Sequence, residues 1–223
     1  MEQYNLKELK SLSNKQLKGN LFALCLIPFL WFGICFLASA FSVVSTIHNW
    51  GWITLHHVVI AVFSAIGSVF MLSFLLNGVF NYGFVENQKA IFNNKRATHE
   101  NNYEGIKNFW SATSTYLLKW VLMIFWWVFI VPGIIKQFSY TMAMFVQNDD
   151  PTKSSSQCIR ESAELMNGYK MKWSLYEMYF WGMIFASVLF TLGIGLFWVI
   201  PQWMQAKYNY YKRILLIKSN PSV

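Results

Sequence analysis

Lys136 is the residue of this chain whose type and position could most readily do chemistry. It stands in an apolar run, three residues after Gly133 and four after Pro132. A lysine in the centre of a membrane costs roughly 2.5 to 3.5 kcal/mol, so such residues usually have a function. Because the Pro-Gly pair interrupts a helix, backbone groups there could meet a ligand, and Pro132, Gly133, Lys136 and Tyr140 form a candidate ligand site. The alternative is that Lys136 snorkels, its long stem reaching a headgroup or a wet seam between helices.

Other ionisable residues give weaker signals. Lys119 and Glu177 lie near the ends of apolar runs, where we expect interfacial positions. His48, His56 and His57 could bind a metal, but no carboxylate or cysteine accompanies them, so we predict no metal site. The sequence holds no nucleophile elbow, phosphate-binding loop, zinc-protease motif or dinucleotide fingerprint. We therefore predict neither an enzyme nor a cofactor.

The charged residues are few and unevenly distributed. Only 13% of the 223 residues are charged and 55% are hydrophobic, whereas a soluble domain has roughly 25% charged residues. The 67 residues from Gly19 to Val85 contain no Asp, Glu, Lys or Arg. The net charge of +8 does not indicate nucleic acid, because the cations are confined to a few short segments. This composition favours an integral membrane protein over a cytosolic globular one.

Four apolar runs are long enough to cross a bilayer, which takes roughly 20 helical residues. They cover residues 21–44, 58–80, 116–146 and 173–206. The third run fits either one kinked span or a hairpin of two shorter helices, because Pro132-Gly133 interrupts it. The fourth is broken at Gly193 to Gly195 and again at Pro201.

The positive charges predict the topology, since Lys and Arg collect in cytoplasmic segments. Four segments carry four cations each, and we expect all of them on the cytoplasmic side, together with both chain ends. Every apolar block between them then crosses an even number of times. The prediction is a single all-α membrane domain, 1–223, a transmembrane bundle of about six spans arranged as three hairpins. The alternative has four spans, with 148–172 outside. The four basic segments are the arm 1–19, the loops 81–114 and 148–172, and the tail 207–223.

Two of these segments contain helical patterns. In the arm, Leu6, Leu9 and Leu12 alternate with lysines, which predicts a short amphipathic helix on an anionic inner leaflet; the alternative is a frayed basic arm. In the second loop, Ile159 and Met166 share a helix face, and Gly168 is the expected stop. The first loop, 81–114, reads as solvated.

Three segments of the second half carry a family resemblance: VPGIIKQFSYTMAMFVQNDDP (131–151), IRESAELMNGYK (159–170) and FTLGIGLFWVIP (190–201), with LKGN (17–20) near the start. They resemble the bacterial membrane proteins grouped as domain of unknown function 975. The sequence departs from the family pattern at Gln202, where a Tyr is usual, and at Tyr210, where a Phe is usual. The resemblance implies a six-span fold in the bacterial cytoplasmic membrane and no particular reaction. The residues that match the pattern are Pro132, Gly133, Ser139, Tyr140, Asp149, Pro151, Ser162, Met166, Gly168, Gly193, Gly195, Trp198 and Pro201.

The functional expectation is a non-catalytic multi-pass protein of the bacterial cell membrane. It would act through helix packing and through contacts with lipid or with a membrane-protein or peptide partner, and not with nucleic acid. A small membrane protein with short exposed loops fits a role in envelope maintenance, or in self-protection (immunity) against a membrane-active peptide or toxin. The alternative is a small-molecule transporter or channel component with Lys136 at its substrate site.

Overall fold

The computed structural model describes residues 6–21, 24, 37, 40, 41, 44, 45, 55–191 and 193–219; for part of 55–75 it describes only the backbone. Within these ranges the chain forms helices and no strand, which confirms the all-α prediction. None of the helices in these ranges combines the length and the apolar character that a membrane span needs. Most of the predicted span 21–44, His48, and the side chains of His56 and His57 lie outside the described residues.

The helices follow one another through short connections. They are α1 (Leu6–Leu17), α2 (Leu55–Phe92), α3 (Glu100–Lys107), α4 (Phe109–Trp127), α5 (Ile130–Ser139), α6 (Ala143–Asp149), α7 (Ser155–Leu165), α8 (Lys170–Thr191) and α9 (Leu196–Ser219).

Helix α2 continues well past the predicted span, and the prediction of a solvated loop is wrong for its last 12 residues. Tyr82 and Val85 in this stretch are 2% and 3% exposed. Apolar residues recur there at helical spacing among the polar ones, so one face packs. Helix α3 lies against that face so closely that a Cβ on Gly105 would stand 2.0 Å from the carbonyl oxygen of Val79. Two glycines, Gly83 on α2 and Gly105 on α3, make this approach possible.

Two helical hairpins follow. Helices α4 and α5 pack against each other around a turn at residues 128–129, so the third apolar run is a hairpin and not one kinked helix. The predicted turn at Pro132-Gly133 is wrong by a few residues. Pro132 lies in the first turn of α5, where a missing N–H costs nothing, and a Cβ on Gly133 would stand 3.0 Å from the carbonyl oxygen of Trp126. Helices α8 and α9 form the second hairpin, which turns through Gly193 at φ +89°.

One end of both hairpins is built into a polar base. Helix α7 belongs to it and confirms the helix expected there. It starts at Ser154, which forms a reciprocal capping box with Gln157, and Gly168 follows it at φ +83°. The start of α8 and the end of α9 meet in an aromatic core in which Trp173 lies 5.0 Å from Tyr210, ring centre to ring centre. The turns of the two hairpins lie at the far ends of these helices, and we call them the apolar tips.

Helix α1 confirms the predicted helix in the arm and rules out a frayed segment there. Its apolar face, however, contacts protein: Leu9 and Leu17 are 0% and 1% exposed, packed against the end of α9 and against α2. The prediction that this face rests on the membrane is therefore wrong for Leu9. The burial of Leu9 and Leu17 brings the basic end of α1 next to the end of α2.

Candidate functional site

The four residues of the predicted ligand site lie together on α5 and its C-cap. Lys136 Nζ stands 4.8 Å from the ring centre of Trp126 and 5.8 Å from that of Tyr140. Aromatic faces attract cations at such distances. The rings thus hold the lysine within the α4–α5 hairpin, and this favours the structural interpretation of Lys136 over the ligand-binding one.

A second charged cluster lies between three helices. Glu177 on α8 is 8% exposed, so its side chain is packed inside the protein. Lys119 on α4 and Lys207 on α9 lie within electrostatic range of it, and both are half-buried. Glu177 Oε2 is buried and accepts no hydrogen bond from any described residue. None of the ion pairs of the described residues includes Glu177, so the carboxylate acts on the two lysines at longer range, and its formal charge balances only one of them.

Buried amides continue from this cluster along α9. Gln205 and Asn209 are 0% and 2% exposed. Asn209 Nδ2 donates to Gln16 Oε1 at 2.8 Å, and Gln205 Nε2 donates to the same oxygen at 3.3 Å. Gln88 and Gln202 are each 1% exposed, and the side-chain amides of both lack partners among the described residues. Because an unsatisfied buried polar group costs roughly 1 to 3 kcal/mol, this seam favours polar contents.

Asp149 joins three helices at the base. Its Oδ2 accepts hydrogen bonds from Lys212 Nζ at 2.6 Å and from the Tyr211 hydroxyl at 3.0 Å, and its Oδ1 lies 3.8 Å from Lys89 Nζ. Burial, together with the negative charge of Asp149, raises the pKa of Tyr211. Tyr211 consequently stays protonated and keeps donating. This arrangement fastens α6 to α2 and α9.

The described side chains form no metal centre: in these parts of the chain no three His, Cys, Asp or Glu residues stand close enough together to hold an ion. The chemistry available at the sites above is therefore hydrogen bonding, ion pairing and cation–π contact.

The sequence of the second half matches a known family. The family model described as "Protein of unknown function (DUF975)" matches residues 127–218. This part of the chain is similar to that family. The match confirms the resemblance recognised from the motifs between 131 and 201. No curated protein and no solved structure shows significant similarity to the chain.

Several DUF975 motif residues build the joint between α5 and α7. Ser162 Oγ donates to the carbonyl oxygen of Ser139 at 2.7 Å and accepts from the backbone N–H of Met142 at 3.1 Å. Met166, one turn further along α7, is fully buried. The serine thus satisfies backbone groups where the helix is interrupted between α5 and α6, and this explains its spacing from Ser139.

The other DUF975 motif residues serve turns and connections. Gly195 N donates to Thr191 Oγ1 at 2.8 Å, which closes the tip of the second hairpin. Pro201 is buried inside α9, whereas Trp198 is 53% exposed. Pro151, in the exposed connection before α7, offers its carbonyl to Gln147 Nε2 at 3.4 Å. The motif residues are thus spread over the base and both tips and form no single site.

The sequence reasoning missed both the Glu177 cluster and the amide seam. Lys119 and Lys207 come within range of Glu177 across 58 and 30 positions of sequence, and single-sequence patterns do not report such contacts. One signal was available: Glu177 is the only charged residue between Trp173 and Ala206. The seam could have been noticed from Gln202, Gln205 and Asn209, which recur on one face of a helix.

Proposed function

We propose that this chain is a non-catalytic, multi-pass protein of the bacterial cytoplasmic membrane whose hairpins contact lipid and whose base faces the cytoplasm. Its role is envelope maintenance or self-protection against a membrane-active peptide or toxin, exerted through contacts with lipid or with a membrane partner. The observation that carries the proposal is the inverted polarity of helix α8.

The outward stripe of α8 is apolar along its whole length. Its exposed positions recur every three or four residues, as expected for one helix face. Helices of water-soluble proteins carry polar residues on this face. The stripe comprises Met171 (75% exposed), Leu175 (60%), Met178 (69%), Phe185 (67%) and Leu189 (59%).

The inward face of α8 carries the only acidic residue of this helix, whereas its two lysines, Lys170 and Lys172, lie in its first turn at the base. Glu177 is buried there, between residues with aromatic side chains such as Trp173 and Phe180. A chain that points its carboxylate inward and its large apolar residues outward is suited to an apolar solvent, since large exposed apolar patches mark membrane or protein contacts.

The apolar tips extend the same pattern. Val128 and Ile130 at the first tip are 75% and 69% exposed, and Phe190 and Ile194 at the second are 84% and 73% exposed. No charged residue occurs from 120 to 135 or from 178 to 206. Cations instead surround the base, where segments 148–172 and 207–223 carry four each. Such asymmetry supports a base on the cytoplasmic side.

Membrane retention tests the proposal. The native protein should remain with the membrane pellet after alkaline carbonate washing. The variant Phe190→Gln/Ile194→Gln should be retained less or degraded. The matched control Leu216→Gln/Ile217→Gln also replaces two exposed apolar residues, but at the base, and it should be retained like the native protein. Release of the native protein as a dispersed, detergent-free monomer would contradict a membrane location.

The protective role has its own test. Deleting the gene should increase killing by at least one member of a panel of membrane-active peptides and toxins, and a plasmid copy should reverse the effect. Unchanged killing curves across the panel would remove the protective role and leave the membrane location standing.

The Glu177 cluster favours a second candidate function, the transport of a small charged solute. The buried carboxylate oxygen without a hydrogen-bond partner and the two lysines could interact with such a solute between α4, α8 and α9. Transport predicts that Glu177→Gln abolishes uptake while the protein still accumulates. If the solute instead binds at Lys136 beside Pro132-Gly133, Lys136→Ala and Lys136→Leu should abolish uptake. Because Lys136 already contacts two aromatic rings, we expect both variants to leave uptake unchanged.

A further inference from the structure

A basic groove lies where the end of α1 meets the end of α2. Its volume is about 320 Å³, room for roughly ten water molecules at about 30 Å³ each. Eight residues from the two helix ends and their following turns line it: Leu12, Lys15, Gln16, Asn20, Ile91, Asn94, Lys95 and Arg96.

The charge of the basic groove is uncompensated. Lys15, Lys95 and Arg96 contribute three positive charges, and none of the eight lining residues is acidic. All three side chains are exposed. By contrast, Lys153 at the base pairs with Glu161 at 2.7 Å. The ion pairs of the described residues include none to these three cations.

Backbone and amide contacts hold the two walls of the groove in place. Asn20 Oδ1 accepts from the backbone N–H of Ala97 at 3.0 Å, which ties the turn after α1 to the turn after α2. On the second wall, Asn94 takes φ +57°, and Lys95 N donates to the Ala90 carbonyl at 2.9 Å. The backbone that carries Lys95 and Arg96 is therefore held in place by hydrogen bonds, on the opposite wall of the groove from Lys15.

We propose that the basic groove binds a phosphate-bearing anion, with Lys15, Lys95 and Arg96 contacting the phosphate oxygens. Guanidinium and ammonium groups form their strongest hydrogen bonds to such oxygens, and the amides of Gln16 and Asn20 supply neutral donors. Two sources share this chemistry: the headgroup of an anionic lipid, and free phosphate or a soluble phosphate ester. The inference goes beyond the proposed function and does not depend on it, because the groove is formed by the folded protein itself.

A simpler explanation is that the cations only complement the negative ends of two helix dipoles. That explanation predicts no preference among ligands and no special effect of these three residues. The two explanations therefore differ in a binding measurement on the purified full chain in detergent.

The main experiment measures the binding of three probes: short-chain phosphatidylglycerol, short-chain phosphatidylcholine and inorganic phosphate. We expect phosphatidylglycerol, inorganic phosphate or both to bind, and phosphatidylcholine to bind at least about tenfold more weakly. Lys95→Gln/Arg96→Gln should weaken binding of the anion at least about tenfold, since it removes two of the three cations that line the groove. The control Lys170→Gln/Lys172→Gln makes the same charge change elsewhere and should alter binding less than twofold. Binding of the lipid but not of phosphate identifies a headgroup, and binding of phosphate identifies a free anion.

Asn20→Asp gives a variant that keeps the wall contact. The aspartate still offers an oxygen to the Ala97 N–H, loses the amide donor with its 3.3 Å contact to the Gln16 carbonyl, and adds a negative charge among the three cations. It should fold, as judged by its elution volume and helix content, and its affinity for the anionic probe should fall at least about tenfold. The proposal is overturned if no anionic probe binds, if phosphatidylcholine binds equally well, if the control loses as much affinity, or if Asn20→Asp still binds.

Discussion

Replacing Glu177 with Gln is the perturbation whose consequence follows most directly from the charge cluster. The carboxylate is 8% exposed. Among the described residues, it is the acidic group whose charge acts on both Lys119 and Lys207. The change leaves two lysines facing each other across an uncharged amide. The reverse change, Lys119→Met, leaves one lysine with one carboxylate and removes the surplus charge. The two variants should therefore differ in sign.

The magnitude depends on burial. Breaking a fully buried ion pair costs about 3 to 5 kcal/mol, whereas an exposed pair is worth at most about 1 kcal/mol. Since Glu177 is buried and both lysines are half-buried, but neither lysine forms a close ion pair with it among the described residues, we expect Glu177→Gln to lower the free energy of unfolding by about 1 to 2 kcal/mol. For a chain of this length that is about 2 to 8 °C in Tm. Lys119→Met should lie within about 1 kcal/mol of the native protein, on the stabilising side.

The assay is thermal unfolding of the purified proteins in one detergent, followed by helix signal. A third protein, Lys119→Met/Glu177→Gln, should be more stable than Glu177→Gln alone, because only one uncompensated lysine remains. Equal losses for the two single variants, or a larger loss for Lys119→Met, would refute the electrostatic coupling of these residues.

Two other predictions concern packing and a buried thiol. Gly105→Ala should lower the free energy of unfolding by about 1 to 3 kcal/mol, because the new Cβ would stand 2.0 Å from a carbonyl oxygen of α2. The control is Gly182→Ala, whose new Cβ would have no atom within 4 Å, and it should raise the free energy of unfolding by up to about 1 kcal/mol. Thermal unfolding of the two variants measures both changes. Burial raises the pKa of the Cys158 thiol to about 11, so the folded protein should leave this thiol unreactive to maleimide at pH 8 and expose it on denaturation. The folded pKa exceeds the unfolded one, near 8.5, so the contribution of this thiol to stability is present below about pH 8.5 and disappears as the pH rises towards 11. Equal maleimide labelling of Cys158 before and after denaturation would contradict the prediction that the folded protein protects this thiol.

The hairpin architecture of the second half could be predicted from the sequence because its turns and helix ends carry characteristic residues. Gly193 marks a turn where the backbone takes positive φ, and Gly168 follows a helix that starts at a capping serine. The Pro132-Gly133 pair was misleading about the exact turn, since proline fits the first turn of a helix as well as a break. The sequence therefore located this hairpin but misplaced its turn by about one helical turn.

The candidate site was predictable only in part. Lys136 was identified by its apolar surroundings, yet its ring partner Trp126 lies ten residues away across a turn whose position the sequence left uncertain. Asp149 was identified from a motif, whereas its contact with Lys212 joins residues 63 apart. The burial of Tyr82 was hidden by polar neighbours, because composition averages over faces that a helix keeps separate.

Paired cysteine labelling tests the central claim most directly, namely that the second tip and the base lie on opposite sides of the cytoplasmic membrane. In a chain whose own three cysteines are replaced, Ile194→Cys places a thiol at the exposed second tip and Ser156→Cys places one at the exposed start of α7. The account predicts that a membrane-impermeant maleimide added to intact cells labels Ile194→Cys and leaves Ser156→Cys unlabelled until the cells are opened. Labelling of Ser156→Cys in intact cells, with Ile194→Cys protected, would contradict it.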